Sequence, residues 1–204
     1  MVVIVDYGMG NVGSLVKVLN ILNVNNKIAT KKSELKNASK IILPGVGNFS
    51  KAMENIKSRD YFDEIISLVK KDKIPILGIC LGMQLLSSFS EEGKSKGLNF
   101  FQSKVIKFKI DDVLRFKIPH IGWNSITNMK NSILLKNIDS NEKFYFLHSY
   151  HYENDNNNLI SGYTNYEYNF PSIIENDNIY GVQFHPEKSY NAGKILIENF
   201  IKYS

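Results

Sequence analysis

Cysteine occurs once in 204 residues, at Cys80, and arginine only twice, at Arg59 and Arg115. A single cysteine excludes an internal disulfide and fits a reducing compartment, so a cytoplasmic protein is expected. The scarcity of guanidinium groups argues against nucleic acid as a partner despite a net charge of +5, because arginine is the favoured reader of bases. The lysines are scattered, as in Lys31-Lys32 and Lys70-Lys71-Asp72-Lys73, and read as a solvated surface. No apolar run reaches membrane-spanning length, and Met1-Val2-Val3-Ile4-Val5-Asp6 has no basic segment ahead of its apolar stretch. It is expected to be a first strand rather than a signal peptide, with no membrane contact. There is no internal repeat. Four histidines, His120, His148, His151 and His185, lack paired ligand spacing; His148 and His151 are three apart on an expected strand end, which should point them to different faces. No metal or cofactor is expected.

What the chain does have is 43% hydrophobic content, enough for one substantial core, and residues 1–204 are taken as one domain. Apolar strands are expected at 2–5, 27–30, 40–43 and just ahead of Cys80, alternating with helical patterns at 14–22, 33–38 and across 53–69. Such alternation implies a parallel sheet with helices on both faces. After Gly97 the character changes: strands are expected at 100–110, 143–147, 159–166 and 179–184, a polar loop at 154–158, and a closing helix at 191–201. The expected fold is α/β, a three-layer sandwich around a mixed, largely parallel sheet, with its site at the carboxyl edge of the parallel strands.

Cys80 sits in Gly78-Ile79-Cys80-Leu81-Gly82, between the apolar run 74–77 and a helical pattern. A strand that turns sharply into a helix around G-x-C-x-G exposes one side chain above the sheet, the geometry of a nucleophile elbow. The sulfur then faces a helix N-terminus, where unpaired N–H groups favour the thiolate. A core cysteine would need neither glycine.

A thiol nucleophile needs a base, and the base an orienting acceptor. About a hundred residues downstream, Gly181-Val182-Gln183-Phe184-His185-Pro186-Glu187-Lys188-Ser189 offers both: the proline fixes one backbone angle between imidazole and carboxylate. Gly8-Met9-Gly10-Asn11-Val12-Gly13 also matches the dinucleotide fingerprint G-x-G-x-x-G, but that fold wants an acid at the end of the second strand and this chain has Thr30-Lys31-Lys32. The glycines read as a turn into the first helix.

Taken together, Gly78 to Gln84, Pro44-Gly45-Val46-Gly47 and His185-Pro186-Glu187 resemble the three catalytic segments of class I (triad-type) glutamine amidotransferases, which have a flavodoxin-like sandwich fold, and the resemblance spans nearly the whole chain. Two further segments, Pro119-His120-Ile121-Gly122-Trp123-Asn124 and His148-Ser149-Tyr150, are similar to the glutaminase subunit of imidazole glycerol phosphate synthase, as is Asp6-Tyr7-Gly8-Met9-Gly10-Asn11. Met83 stands where the class often has His, and Ile121 where Met is more usual. The resemblance implies Cys80 as nucleophile, His185 as base and Glu187 as its orienting carboxylate, with the amides of Val46 and Leu81 as oxyanion donors. It implies a glutamine head group held by Gly47, Gln84, Ser149 and Tyr150. It also implies a heterodimer with a (β/α)8 barrel cyclase subunit, with Asn11, Trp123, Tyr145 and Lys188 at the interface or ammonia gate; Trp123 is read as interface ahead of core anchor. Two related activities remain open: ammonia supply for amidino-sugar modification, and stand-alone γ-glutamyl hydrolysis.

Overall fold

In the computed structural model, described for residues 1–128, 132–153 and 158–204, the chain opens with a regular β/α series. β1 (Val2–Val5) leads to α1 (Val12–Ile21), then β2 (Asn26–Ala29), β3 (Lys40–Leu43), α2 (Phe49–Ser58), α3 (Tyr61–Lys70), β4 (Ile76–Ile79) and the short α4 (Leu81–Leu85). The second half is built of strands: β5 (Phe89–Ser90), β6 (Ser95–Lys96), β7 (Lys104–Lys107), β8 (His120–Ser125), β9 (Thr127–Asn128) and β10 (Lys143–His148). β11 (Tyr150–Glu153), β12 (Ile160–Tyr166), β13 (Tyr168–Asn176) and β14 (Ile179–Val182) follow, and α5 (Tyr190–Tyr203) closes the chain.

The main sheet runs β2-β1-β3-β4-β14-β13-β12-β9. From β2 to β14 the neighbours are parallel; β13, β12 and β9 are added antiparallel. The parallel strands read as unbroken apolar runs because both of their faces are covered. Along β1, Val3 and Val5 pack with Met53, Ile56, Ile65 and Val69 of α2 and α3, while Val2 and Ile4 pack with Leu15 and Leu19 of α1 and Leu196 and Phe200 of α5. Helices on both faces thus give the expected three layers, and the sheet is mixed as expected. Two smaller sheets stand beside the main one, the ribbon β8–β10 and the set β11-β7-β5-β6.

Several expected elements change on folding. The stretch 53–69 is two helices, because Asp60 takes a left-handed conformation (φ 58°) that ends the first turn sequence. The helix expected at 33–38 is only a 3-10 turn at Lys32–Glu34; the Glu34 carboxylate reaches back to the Thr30 and Lys31 amides and so closes a turn instead of extending a helix. The strand expected at 100–110 is reduced to β7, the only part for which β5 and β11 supply pairing partners. Of the polar loop expected at 154–158, residues 154–157 lie outside the described residues. Both chain ends are tied to neighbouring residues at the start of β3: the Met1 amino group donates to Ser39 Oγ (2.8 Å), and Lys40 Nζ donates to the Ser204 carbonyl (2.6 Å).

Candidate active site

Three parallel strands end at one place. β4 delivers Cys80, β3 delivers 44–47, and β14 leads through Gln183 and Phe184 to His185. Cys80 adopts φ 53° and ψ −110°, a strained position for a residue with a Cβ. It is fixed there by its N–H donating to the Val182 carbonyl (2.8 Å). The flanking glycine is required by contact: a Cβ on Gly82 would lie 1.8 Å from the Leu43 carbonyl oxygen. α4 is therefore pressed against the end of β3, and the segment 44–47 passes beside the first turn of α4. The buried Tyr7 hydroxyl donates to the Pro44 carbonyl (2.6 Å) and secures that segment. Burial raises the Tyr7 pKa far above the usual phenol value, so Tyr7 stays a donor.

His185 Nδ1 lies 2.9 Å from Glu187 Oε1, and both side chains are almost wholly buried. The pair rides on the 3-10 turn Pro186–Lys188, with proline at its first position. The His185 amide donates to the Tyr145 carbonyl (2.8 Å) and Ser189 Oγ donates to the His185 carbonyl (2.6 Å), so the backbone under the ring is clamped on both sides. Burial works against a charged imidazole, but the neighbouring Cys80 sulfur, in its ionised form, and the Glu187 carboxylate outweigh it, and the pKa rises to about 10. His185 Nε2 is buried with no hydrogen-bond partner, as is Glu187 Oε2. A base with one nitrogen held by a carboxylate and the other free beside a sulfur is set to take up and release a proton.

A pocket of about 230 Å³ opens over the sulfur, lined by Val46, Gly47, Cys80, Leu81, Gln84, Glu92, Pro119, Leu147, His148, Ser149 and Tyr150. It therefore brings together the expected oxyanion pair, Val46 and Leu81, and all four expected head-group residues. Its size suits one small molecule. Glu92 is a carboxylate in this wall that the sequence reading missed; its Oε2 accepts from the Phe49 amide (2.7 Å). Gln183 was also missed. Fully buried, it accepts from Gln84 Nε2 (3.1 Å) through Oε1 and points its own Nε2 at Cys80 Sγ (3.7 Å). Its only sequence signal was its position in the strand leading to His185. Gln84 Nε2 also donates to the Tyr150 carbonyl (2.9 Å), which leaves Gln84 Oε1 as the acceptor of that side chain.

The expectation that His148 and His151 point apart is overturned. The chain breaks between β10 and β11 at Ser149, and both rings turn onto Phe108, with centroids at 5.1 and 4.7 Å. Among the described residues, no group of three or more potential ligands is arranged to hold a metal ion.

The four residues expected at an interface are spread around the ribbon and α1. Trp123 is 43% exposed and stacks on Tyr190 (5.0 Å, 3°), which is itself 83% exposed and was not anticipated. Tyr145 pairs with Trp123 across the ribbon, and Lys188 Nζ lies over the Tyr145 ring at 5.5 Å. Asn11 caps α1, its Oδ1 accepting from the Ser14 amide (3.4 Å). Ile121, 57% exposed, extends the apolar surface. Among the described residues no helix is long and apolar enough to cross a membrane.

Residues 3–203 match the family model described as glutamine amidotransferase class-I. Similar curated proteins include the imidazole glycerol phosphate synthase subunit HisH of Leptospira interrogans, 44% identical over 98% of this chain and 98% of that protein. The protein called imidazole glycerol phosphate synthase subunit HisH 2 of Methanococcus maripaludis is 46% identical over 99% of each chain. Among solved structures, one described as a glutamine amidotransferase superposes with a TM-score of 0.76 at 16% identity, covering 98% of this chain and 97% of that one. The structure described as PurLQS from Thermotoga maritima superposes with a TM-score of 0.74 at 18% identity, covering 99% and 97%. These distant superpositions carry the fold alone.

Proposed function

The chain belongs to the class-I glutamine amidotransferases, and from that membership we propose that it is the glutaminase subunit of an imidazole glycerol phosphate synthase in histidine biosynthesis. Residues 1–204 act as one amidotransferase domain of a cytoplasmic enzyme. The observation that carries the chemistry is the meeting of Cys80, on its strained elbow, with the buried His185–Glu187 pair under a pocket of about 230 Å³. Full-length similarity to the relatives named above carries the choice of pathway.

In this reading Cys80 Sγ attacks the side-chain carbonyl carbon of glutamine as a thiolate. The oxyanion that forms is met by the amides of Val46 and Leu81. The tetrahedral adduct collapses as His185 Nε2 gives its proton to the departing nitrogen, releasing ammonia and leaving a γ-glutamyl thioester. Water, deprotonated by His185, then attacks the thioester; the C–S bond breaks and glutamate leaves. Glu187 holds Nδ1 protonated throughout. At the other end of the pocket Glu92 and Gln84 Oε1 accept from the substrate ammonium, with Gly47, Ser149 and Tyr150 around the α-carboxylate and backbone.

Ammonia is lost to protonation in open water, so the subunit is used with a synthase. The exposed face of Ile121, Trp123 and Tyr190, rimmed by Lys188, has the aromatic centre and charged edge of a docking surface. A (β/α)8 cyclase subunit occupies it in a heterodimer, and the ammonia passes to a ribonucleotide that becomes imidazole glycerol phosphate and an aminoimidazole carboxamide ribonucleotide. The test is glutamate release by this chain alone and with the cyclase from the same genome, with and without its ribonucleotide ligand. A large rise in the complex is the expected result. Full activity alone, preferring γ-glutamyl peptides, would mean a stand-alone hydrolase; indifference to this cyclase with stimulation by a sugar-modifying synthase would mean a different acceptor.

A further inference from the structure

The corner between β10 and β11 is held from three directions. The Phe108 amide donates to the Ser149 carbonyl (3.1 Å), and the Tyr150 carbonyl takes both Gln84 Nε2 (2.9 Å) and His148 Nδ1 (2.8 Å). Behind it, His148 Nε2 lies 3.1 Å from His120 Nδ1. A carbonyl only accepts, so His148 Nδ1 carries a proton. Burial, reinforced by the His120 imidazole, holds His148 well below the usual histidine range, so its ring is neutral and Nε2 is a bare acceptor. His120 Nδ1 must then be the donor. One direction of hydrogen bonding therefore runs from His120 through His148 to the Tyr150 carbonyl.

The outer end of this chain is fixed as well. The His120 ring lies between Tyr166 (4.0 Å, 27°) and Phe146 (4.9 Å, 23°). The Tyr166 hydroxyl accepts from the Lys117 amide (2.9 Å) and donates to the Lys117 carbonyl (2.7 Å). The loop that enters the pocket at Pro119 is thus pinned to the same stack. Neither histidine has a place in the proton transfers assigned to Cys80 and His185.

We propose that His120 and His148 are positioning residues for the substrate: their directed hydrogen bonds hold the Tyr150 carbonyl, and with it the 149–150 wall of the pocket, where the glutamine head group is read. The proposal rests on the glutaminase reading above. It makes head-group affinity depend on a donor at one defined point, His148 Nδ1. An asparagine at 148 can put its amide nitrogen near that point; a glutamine reaches past it to the position of Nε2, and phenylalanine offers no donor.

The experiment is steady-state glutamate release by the complex with the cyclase, for wild type, His148→Phe, His148→Asn, His148→Gln, His120→Phe and the double variant His120→Phe/His148→Phe, with thermal melting of each. Loss of one buried hydrogen bond is expected to raise KM in His148→Phe by about tenfold with kcat within about twofold. His148→Asn should bring KM back to within about twofold of wild type, while His148→Gln should resemble His148→Phe. His120→Phe should raise KM by about threefold alone and add nothing in the His148→Phe background. An unchanged KM in His148→Phe, equal damage in His148→Asn and His148→Gln, or additive effects of the two histidines would overturn the proposal. Should His148→Phe fail to fold, the Asn and Gln pair decides by itself. A wild-type complex without glutaminase activity would bring down the functional reading and this proposal together, whereas an active wild type with indifferent variants brings down only the proposal.

Discussion

The two halves of the molecule solve the burial problem differently. Among the described residues, no Ser, Thr, Asn, Gln, His or charged side chain before Gln84 is buried, whereas the second half buries His120, His148, His151, Ser161, Thr164, Ser172, Gln183, His185, Ser189 and Asn199. The first half is an apolar β/α scaffold that places a nucleophile by steric contact. The second is a set of strands that places a base and a pocket wall by directed hydrogen bonds, such as His185 Nδ1 to Glu187 and Tyr145 N–H to Ser189 Oγ (3.0 Å). Close contact dominates in the first and buried polar side chains in the second, so the two should fail in different ways.

The largest effect is expected from the contribution of the first half to the chemistry. Cys80→Ala should lower glutamate release by about 10⁴-fold or more, with far-UV circular dichroism unchanged. Retained glutaminase in a pure preparation would end the mechanism. In the second half, Glu187→Gln should cost about 10²–10⁴-fold in kcat, because the base loses the partner that fixes its tautomer, while KM changes little. Next comes a steric break: Gly82→Ala drives a Cβ into the Leu43 carbonyl and should destabilise the fold by about 3 kcal/mol or more in urea titration. A loss below about 1 kcal/mol would show that the elbow is softer than its contacts imply.

A smaller effect comes with pH and belongs to the second half, which holds all four histidines. Burial lowers the pKa of His120 to about 4 and depresses His151 as well as His148. The unfolded chain then binds more protons than the folded one below the ordinary histidine value near 6.5, so stability should fall as pH drops from there toward about 4. His185 has the opposite sign: raised to about 10, its contribution is complete below 6.5 and is lost as pH rises through about 10. Urea midpoints should fall between pH 7 and pH 5, and His120→Phe should flatten that slope; an unaltered slope would mean that His120 is not held neutral by the fold. At the small end, Lys51→Ala breaks only the exposed pair with Glu54 (2.9 Å) and should change stability by less than about 0.5 kcal/mol.

How much of this was legible in the sequence follows the same division. Cys80 and the His185–Glu187 pair were legible because each sits in a short local pattern in which glycine or proline marks the backbone that the chemistry needs, whereas the 44–47 segment was read through its family resemblance. The parallel strands were legible as apolar runs. The head-group residues and the interface residues came through family resemblance, and the pocket does collect Gly47, Gln84, Ser149 and Tyr150. β8 and β13 were not read as strands, since their register is set by partners distant in sequence: Gly122 faces Phe146, and Ile173 faces Val182. Gln183, Glu92 and the His120–His148 bond were hidden for the same reason, each having its meaning only through a residue from another part of the chain. The break at Asp60 was missed because nothing in the apolar spacing of 53–69 marks a left-handed residue.

The anchoring of both termini beside the start of β3 has a practical consequence for anyone handling the protein. Ser39 holds the amino end and Lys40 the carboxyl end, at the edge of the sheet opposite Cys80. Residues 1 and 204 therefore come together at one corner, at the end of the strands away from the nucleophile. A fluorophore carried on that corner would stand at the far end of the parallel strands from Cys80, and so report on the scaffold without entering the pocket.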